Sequence, residues 1–199
     1  MEVTLYGAGT SRSARCRWAF AEAEIEFELI ERPGLARSDE LRKFHPLAKL
    51  PVAVIDGQVL FESAAICTYV ADHANTPGLI AAPGTWGRAM HDQWVSYCLT
   101  EMEAWLWNTA VNSFALPEAE RVTAGFEQNI EMFKRSLVGM EAHLAVHDFF
   151  VEGRFTVTDI ICGWTLNWGR RQGHLDDAPA AQAYVQRLLQ RPLCTFASD

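Results

Sequence analysis

The first third of the chain alternates between the two hydrophobic periods that distinguish strands from helices. Residues 2–6 form a short apolar run that predicts a strand. In residues 25–29 apolar side chains alternate with glutamates, which predicts a second strand. Between them, residues 11–23 carry apolar side chains three and four positions apart, a spacing typical of a helix. A short irregular helix is expected over residues 38–45.

The segment from Leu50 to Asp72 has the most informative pattern. Two short apolar runs, 51–55 and 58–61, flank Asp56-Gly57, a strong hairpin signal because glycine tolerates positive φ. Glu62-Ser63 then begins a stretch with helical spacing. A helix N-terminus presents free N–H groups and a partial positive charge, so it can hold a carboxylate. The predicted order of elements, βαβαββα, is thioredoxin-like.

Residues 75–84 interrupt this pattern with two Pro-Gly pairs and are the best candidate for a linker. We predict an N-terminal α+β thioredoxin-like domain over 1–74, a linker over 75–85 and an all-α helical domain over 86–199. Thr85 is expected to cap the first helix of the second domain, and Pro117 to lie in the first turn of the next one. The apolar residues with helical spacing in that domain are Met90, Trp94, Cys98, Met102 and Trp105, and then Val122, Phe126, Ile130, Phe133, Leu137, Met140 and Leu144.

Thr156 and Asp159 have the spacing of a helix N-cap and its N3 acid, close to a capping box. That structural role explains both residues fully, so we assign them no catalytic function. A final helix is expected near residues 179–191.

Charge and cysteine content narrow the function classes. A net charge of −8 argues against sequence-independent nucleic-acid binding, which needs a basic face. The sequence contains no run of about 18 apolar residues, so no membrane span is predicted. The N-terminal residues show no signal-peptide pattern, so no signal peptide is expected. The five cysteines are scattered and never spaced CxxC, which disfavours a disulfide framework or a zinc site. We therefore expect reduced thiols, no metal and a cytoplasmic protein.

The stretch around the predicted hairpin resembles the glutathione-binding half of glutathione transferases. The matching residues are Leu50-Pro51, Asp56-Gly57 and Glu62 to Ile66, and their order and spacing are more specific than any one alone. The resemblance extends in both directions over nearly the whole chain and includes an [ST]xxD box such as Thr156 to Asp159. On this basis the chain is identified as a cytosolic, serine-type, bacterial-like member of the glutathione S-transferase family.

The resemblance implies a hydroxyl that contacts the glutathione sulfur. In serine-type transferases this is a serine in the loop after the first strand, and Ser11 falls on that position. Thr10 and Ser13 are close enough to compete. Tyr6 is the main rival, because tyrosine-type transferases place the hydroxyl near the end of the first strand. Without the resemblance, the loop hydroxyls are only helix caps and Tyr6 is a packed strand aromatic.

The resemblance also implies which residues hold the rest of the glutathione peptide. Pro51 is expected in the cis form, with the Leu50 backbone pairing with the cysteinyl part. Glu62 would meet the γ-glutamyl ammonium, Ser63 the carboxylate of the same end, and Lys49 the glycyl carboxylate. Glu62 and Ser63 are equally explained as a helix N-terminal pair, and Lys49 as a solvated lysine.

These contacts predict a detoxification enzyme that conjugates glutathione, its co-substrate, to a small, largely apolar electrophile. Alternatives are another glutathione-dependent reaction (isomerisation, dehalogenation or peroxide reduction) and a binding protein of the same fold without turnover. The family resemblance implies that the helical domain lines the electrophile pocket. The resemblance implies a homodimer, because the site in this family lies near a partner subunit. The helices around 86–145 support this prediction, since their apolar side chains exceed what one narrow helix face can bury internally: Met90, Trp94, Met102, Trp105 and Trp107.

Overall fold

The structure is a computed structural model that describes residues 1–9 and 11–196. Two compact units are present. The first contains Met1–Pro83 and the described residues from Leu189 onward, and the second contains Gly84–Leu188. The predicted helical domain, 86–199, instead includes the C-terminal residues.

The first unit has the thioredoxin-like order βαβαββα, as predicted. Its elements are β1 (Val3–Tyr6), α1 (Ser13–Glu22), β2 (Glu28–Ile30), α2 (Asp39–Arg42), β3 (Val52–Ile55), β4 (Gln58–Phe61) and α3 (Ser63–Asp72). The four strands form one mixed sheet in the order β2-β1-β3-β4. β1 pairs in parallel with β2 and antiparallel with β3, and β3 pairs antiparallel with β4.

The β3–β4 hairpin turns at Asp56-Gly57, where the sequence predicted it. Both residues have positive φ, 47° and 78°, which matches the tight turn that suits the right-handed twist of a hairpin. The Asp56 carboxylate also accepts a 2.7 Å hydrogen bond from the Glu2 N–H. The turn therefore also ties the hairpin to the start of β1.

The residues after Leu189 pack on α1, which explains why they belong to the first unit. Arg191 Nη2 lies 3.1 Å from the Glu22 carboxylate, and the Thr195 hydroxyl donates to the Ala14 carbonyl at 2.6 Å. The ring of Phe196 meets that of Trp18 edge-on, with centroids 4.8 Å apart. These contacts join segments more than 165 residues apart in sequence, which no local pattern could have predicted.

The second unit is helical, as predicted. Its α-helices are α4 (Trp86–Tyr97), α5 (Ala104–Ala110), α6 (Phe126–Leu144), α7 (Val157–Arg171) and α8 (Pro179–Leu189). Thr85 caps α4 as expected, since its hydroxyl accepts the Arg88 N–H. Two π-helical segments, Cys98–Glu103 and Val111–Ala115, follow α4 and α5 directly. The unbroken i+4 spacing of Trp94, Cys98 and Met102 fits this wider turn.

The helix predicted to start at Pro117 starts later. Pro117 precedes a short 3₁₀ turn, Glu118–Glu120, and α6 begins only at Phe126. Val122 is exposed, and its N–H donates to the Asn112 side chain at 2.9 Å. A side-chain acceptor thus replaces the helical hydrogen bond, and Val122 does not belong to the buried stripe of α6.

Within the described residues, no helix combines the length and apolar character needed to cross a membrane.

Candidate functional site

The loop between β1 and α1 presents the Ser11 hydroxyl on an exposed residue. Its Oγ donates to the Ala8 carbonyl at 2.6 Å. The loop is held on both sides of Gly9, whose N–H donates to the Glu31 carboxylate at 2.6 Å and whose carbonyl accepts from Arg17. Ser11 is therefore an accessible hydroxyl on a tethered loop. Thr10, a predicted competitor, lies outside the described residues.

Ser13, the second competitor, is fully buried. Its Oγ accepts the Ala8 N–H at 3.1 Å and lies 3.0 Å from the Ser11 Oγ. A Cβ on Gly7 would approach Ser13 Cβ to 3.0 Å, so only glycine fits there without movement. These contacts favour Ser13 as a support for the loop rather than as a group that meets a ligand.

Tyr6, the main rival, lies on the interior strand β1 and packs in an apolar cluster. Its ring lies 5.1 Å from that of Phe44, and the pair packs with Leu41, Ala48 and Val52. This environment matches the packed strand aromatic that the sequence analysis offered as the alternative role.

The segment before β3 adopts the predicted geometry at Pro51. The Leu50–Pro51 peptide bond is cis, and Pro51 is buried. Lys49 is exposed, and Leu50 is half-buried. His45, four residues before Lys49, is buried, and its Nδ1 accepts the Leu47 N–H at 2.9 Å.

Glu62 and Ser63 begin α3 in different environments. Glu62 is exposed and has φ 70° and ψ 114°, a backbone conformation that residues other than glycine rarely adopt. Backbone strain of this kind concentrates at functional sites. Ser63 is only 4% exposed and is the first residue of α3. The pair therefore combines an exposed carboxylate with a buried hydroxyl at a helix N-terminus.

Sequence reasoning missed Arg15, whose side chain is 0% exposed in α1. Its Nη1 donates to the Ser63 hydroxyl at 3.2 Å, and the Sγ of Cys16 lies 3.9 Å from the Ser63 carbonyl. The first turns of α1 and α3 are therefore neighbours, and the loop that carries Ser11 leads directly into the first turn of α1. One feature of the sequence could have indicated this role: Arg15 is a charged residue between the apolar residues Ala14 and Cys16 of the predicted helix.

The cysteines of this unit do not provide a nucleophile. Cys16 and Cys67 are buried, Cys194 is half-buried, and none of the three forms a disulfide. Burial raises the pKa of the Cys16 thiol well above its ordinary value and also raises the pKa of the Cys194 thiol. A thiol kept neutral is a poor nucleophile. Among the described residues, no group of three or more His, Cys, Asp or Glu side chains is arranged to hold a metal ion.

The predicted capping box is present at the start of α7. The Asp159 carboxylate accepts the Thr156 N–H at 2.8 Å, the Phe150 N–H at 3.0 Å and the Tyr184 hydroxyl at 2.8 Å. Burial raises the pKa of Asp159 to about 6, although these hydrogen bonds oppose the shift. These hydrogen bonds to two backbone N–H groups and to Tyr184 fit the structural role predicted for the capping box.

Comparison with known proteins identifies the first unit. The sequence profile described as "Glutathione S-transferase, N-terminal domain" matches residues 1–72. The chain has a glutathione S-transferase N-terminal domain. The resemblance found in the sequence is thereby confirmed, whereas the serine-type, bacterial-like subclass stays a prediction.

Two curated relatives show how far the similarity extends. Glutathione S-transferase GST-4.5 of Xanthomonas campestris pv. campestris is 24% identical over 174 residues, 87% of this chain and 84% of the relative. Elongation factor 1-gamma 2 of Oryza sativa subsp. japonica is 25% identical over 198 residues, 94% of this chain but 46% of the relative. The chain thus spans less than half the length of the elongation factor.

A solved structure supports the fold over both units. The glutathione transferase URE2P6 from Phanerochaete chrysosporium, in complex with oxidized glutathione, has a TM-score of 0.83 to this chain at 23% identity. The similarity covers 97% of this chain and 93% of URE2P6. At this level of identity the comparison establishes the fold alone, and it confirms the predicted thioredoxin-like domain followed by a helical region.

Proposed function

We propose that the chain binds glutathione in its first unit and transfers the glutathione thiolate to a small, largely apolar electrophile. The proposal is carried by the arrangement of two hydroxyls at the starts of neighbouring helices. Ser11 is exposed in the loop before α1, and Ser63 is the first residue of α3, which packs beside α1. The oxidized glutathione bound by URE2P6 supports a ligand of the same class here.

Ser11 supplies the chemistry at sulfur in this proposal. A free thiol has a pKa of about 8.5, and only the thiolate is a good nucleophile. A hydroxyl that donates to the sulfur, at the positive end of α1, favours the ionised form. A two-unit decrease in the thiol pKa requires about 2.7 kcal/mol, which one charge-assisted hydrogen bond and a helix terminus can supply.

The remaining residues fit the ends of the peptide. Glu62 is exposed and can meet the γ-glutamyl ammonium, while Ser63 and the N–H groups of α3 can meet the carboxylate. The Leu50 backbone would hold the cysteinyl part and Lys49 the glycyl part. Pro51 lies between Leu50 and the first residue of β3.

In the proposed transfer, the sulfur forms a bond to the electrophilic carbon. With an aryl halide, the halide leaves with the electrons of the broken carbon–halogen bond, and the thiol proton passes to solvent. Ser11 stabilises the attacking sulfur and is not consumed. The role in detoxification, the cytoplasmic location and the homodimer are part of the same proposal.

A second candidate is a glutathione-binding protein without turnover. It is favoured by the similarity to elongation factor 1-gamma 2, whose name does not denote a transferase. The intact set of Ser11, Glu62 and Ser63 favours catalysis instead.

Two measurements on the wild-type protein separate these functions. Retention on immobilised glutathione and a calorimetric titration test binding, and turnover of a generic aryl halide tests transfer. Binding with turnover supports the transferase. Binding without turnover of an aryl halide or a peroxide supports the non-catalytic protein, and absence of binding contradicts both.

A further inference from the structure

A buried guanidinium lies behind the proposed carboxylate site. Arg15 is 0% exposed, and its Nη1 donates to the Ser63 Oγ across 48 positions of sequence. Burying a charged side chain is costly unless hydrogen bonds and charge compensate for it. Apolar packing between α1 and α3 alone would be better served by a neutral residue. The arginine is therefore placed to act on the Ser63 hydroxyl, which is one of its partners.

The hydrogen bond determines what the Ser63 hydroxyl can do. A serine hydroxyl has one hydrogen to donate and two lone pairs that accept. Because Arg15 occupies an acceptor site on Ser63, the hydroxyl hydrogen is available for another acceptor. The guanidinium charge also polarises the O–H bond, which strengthens any hydrogen bond that Ser63 donates.

Three sources of positive potential coincide at this point. They are the Arg15 guanidinium, the polarised Ser63 hydroxyl and the N-terminal N–H groups of α3. A carboxylate is attracted by all three, whereas a neutral carboxamide is attracted only as a hydrogen-bond acceptor. Glu62, the preceding residue, adds an exposed negative charge that suits an ammonium.

We propose that Arg15 is a positioning residue: it orients and polarises Ser63 so that the site selects a free α-carboxylate at the γ-glutamyl end of glutathione. This inference rests on the proposed glutathione binding. It assigns to a buried residue of α1 the specificity for an intact α-amino-acid group, which Glu62 and Ser63 would contact directly.

The experiment compares two ligands by calorimetric titration: glutathione and its analogue in which the γ-glutamyl α-carboxylate is a carboxamide. Wild type should prefer glutathione by about tenfold or more, the value of one charge-assisted hydrogen bond. Arg15→Met and Arg15→Gln should lose most of this preference, and Arg15→Lys, which keeps the charge, should retain part of it. Arg171→Met, at an exposed position at the end of α7, is the matched control and should behave as wild type.

Kinetics provide a readout that a purely structural role would not move. The Arg15 variants should raise the KM for glutathione with little change in kcat or in the apparent pKa of the bound thiol. In a Ser63→Ala background, replacing Arg15 should change the ligand preference less than it does in wild type, because the part of its effect that passes through the Ser63 hydroxyl is already lost.

The outcomes are distinguishable. A wild-type protein that does not bind glutathione contradicts the proposed function itself. A wild-type protein that binds both ligands equally overturns the role of Arg15 without any variant. A folded Met or Gln variant that keeps the wild-type preference also overturns it, and if Met prevents folding, Gln and Lys decide.

Discussion

The Ser13 hydroxyl lies 3.0 Å from the Ser11 hydroxyl and accepts the N–H of Ala8, whose carbonyl is the acceptor for Ser11. Two serines at neighbouring positions thus have different tasks. The buried one fixes the loop, and the exposed one has a hydroxyl hydrogen that could turn from the Ala8 carbonyl to a sulfur. This division favours Ser11 over Ser13 as the residue that meets glutathione.

Replacing Ser11 by alanine should lower turnover by about tenfold or more, the loss of roughly one charge-assisted hydrogen bond to the thiolate. The apparent pKa of the bound thiol should rise, while affinity for glutathione should change little, because Ser11 acts on the sulfur and not on the ends of the peptide. The measurements are the pH profile of kcat/KM and a calorimetric titration.

Tyr6→Phe is the matched comparison for Ser11→Ala. It removes only a hydroxyl from a ring that packs against Phe44, so activity should stay near wild type. An inactive Tyr6→Phe variant together with a normal Ser11→Ala variant would show that the serine assignment is wrong.

Replacing Ser63 by alanine should weaken glutathione binding more than it slows the chemical step. The lost interaction is a hydrogen bond to a charged group, worth about 1.5–3 kcal/mol. Calorimetry measures the affinity, and single-turnover kinetics measure the chemical step. Ser136→Ala is the control, because the hydroxyl of that buried serine donates to the Phe133 carbonyl in the second unit. Unchanged affinity in Ser63→Ala would remove Ser63 from the site.

Local sequence patterns predicted the features that depend on neighbouring residues. Asp56-Gly57 specifies its turn through its own φ preferences, and Thr156 with Asp159 specifies a cap within one helical turn. The contact between Arg15 and Ser63 could not be found in this way, because it depends on how α1 packs against α3. The distinction between Ser11 and Ser13 likewise required their burial, which the sequence of a polar loop does not reveal.

The Asp159 carboxyl should make a contribution to the free energy of unfolding that decreases as the pH rises. Burial raises its pKa from 3.8 to about 6 in the folded protein, so the folded state binds the proton more tightly than the unfolded state. The resulting stabilisation is complete below pH 3.8 and is lost as the pH rises through about 6. Its full size is about 3 kcal/mol for a shift of this magnitude.

Urea unfolding of wild type and Asp159→Asn between pH 4 and pH 7 measures this effect (roughly the range over which the two states differ in ionisation). The variant lacks the titrating group, so the wild-type advantage should be greatest near the acidic end and should decrease toward neutrality. Asp92→Asn, at an exposed position of α4, is the control and should give a constant difference. An advantage for wild type that grows with pH would contradict the raised pKa.

The homodimer stays a prediction, and the structure changes the residues on which it rests. Five apolar side chains of the second unit led to the prediction. Of these, Met102 is fully buried, and the others are half-buried: Met90, Trp94, Trp105 and Trp107. A second apolar surface is present on β4, one of the two edge strands of the described sheet. Val59 and Phe61, two positions apart on that strand, are 42% and 38% exposed.

Edge strands that expose apolar side chains are surfaces that proteins usually cover, and a closed two-fold dimer is the commonest arrangement among oligomers. We therefore expect light scattering at micromolar concentration to give about twice the chain mass of 22.3 kDa.

Val59→Asp should shift the protein toward the monomer, because a buried unpaired charge opposes association. Val146→Asp is the control: Val146 is 75% exposed in the second unit, away from β4 in the sequence, and its substitution should leave the mass unchanged. A wild-type mass of 22.3 kDa would contradict the dimer, and a Val59→Asp variant that remains a dimer would exclude β4 as its interface.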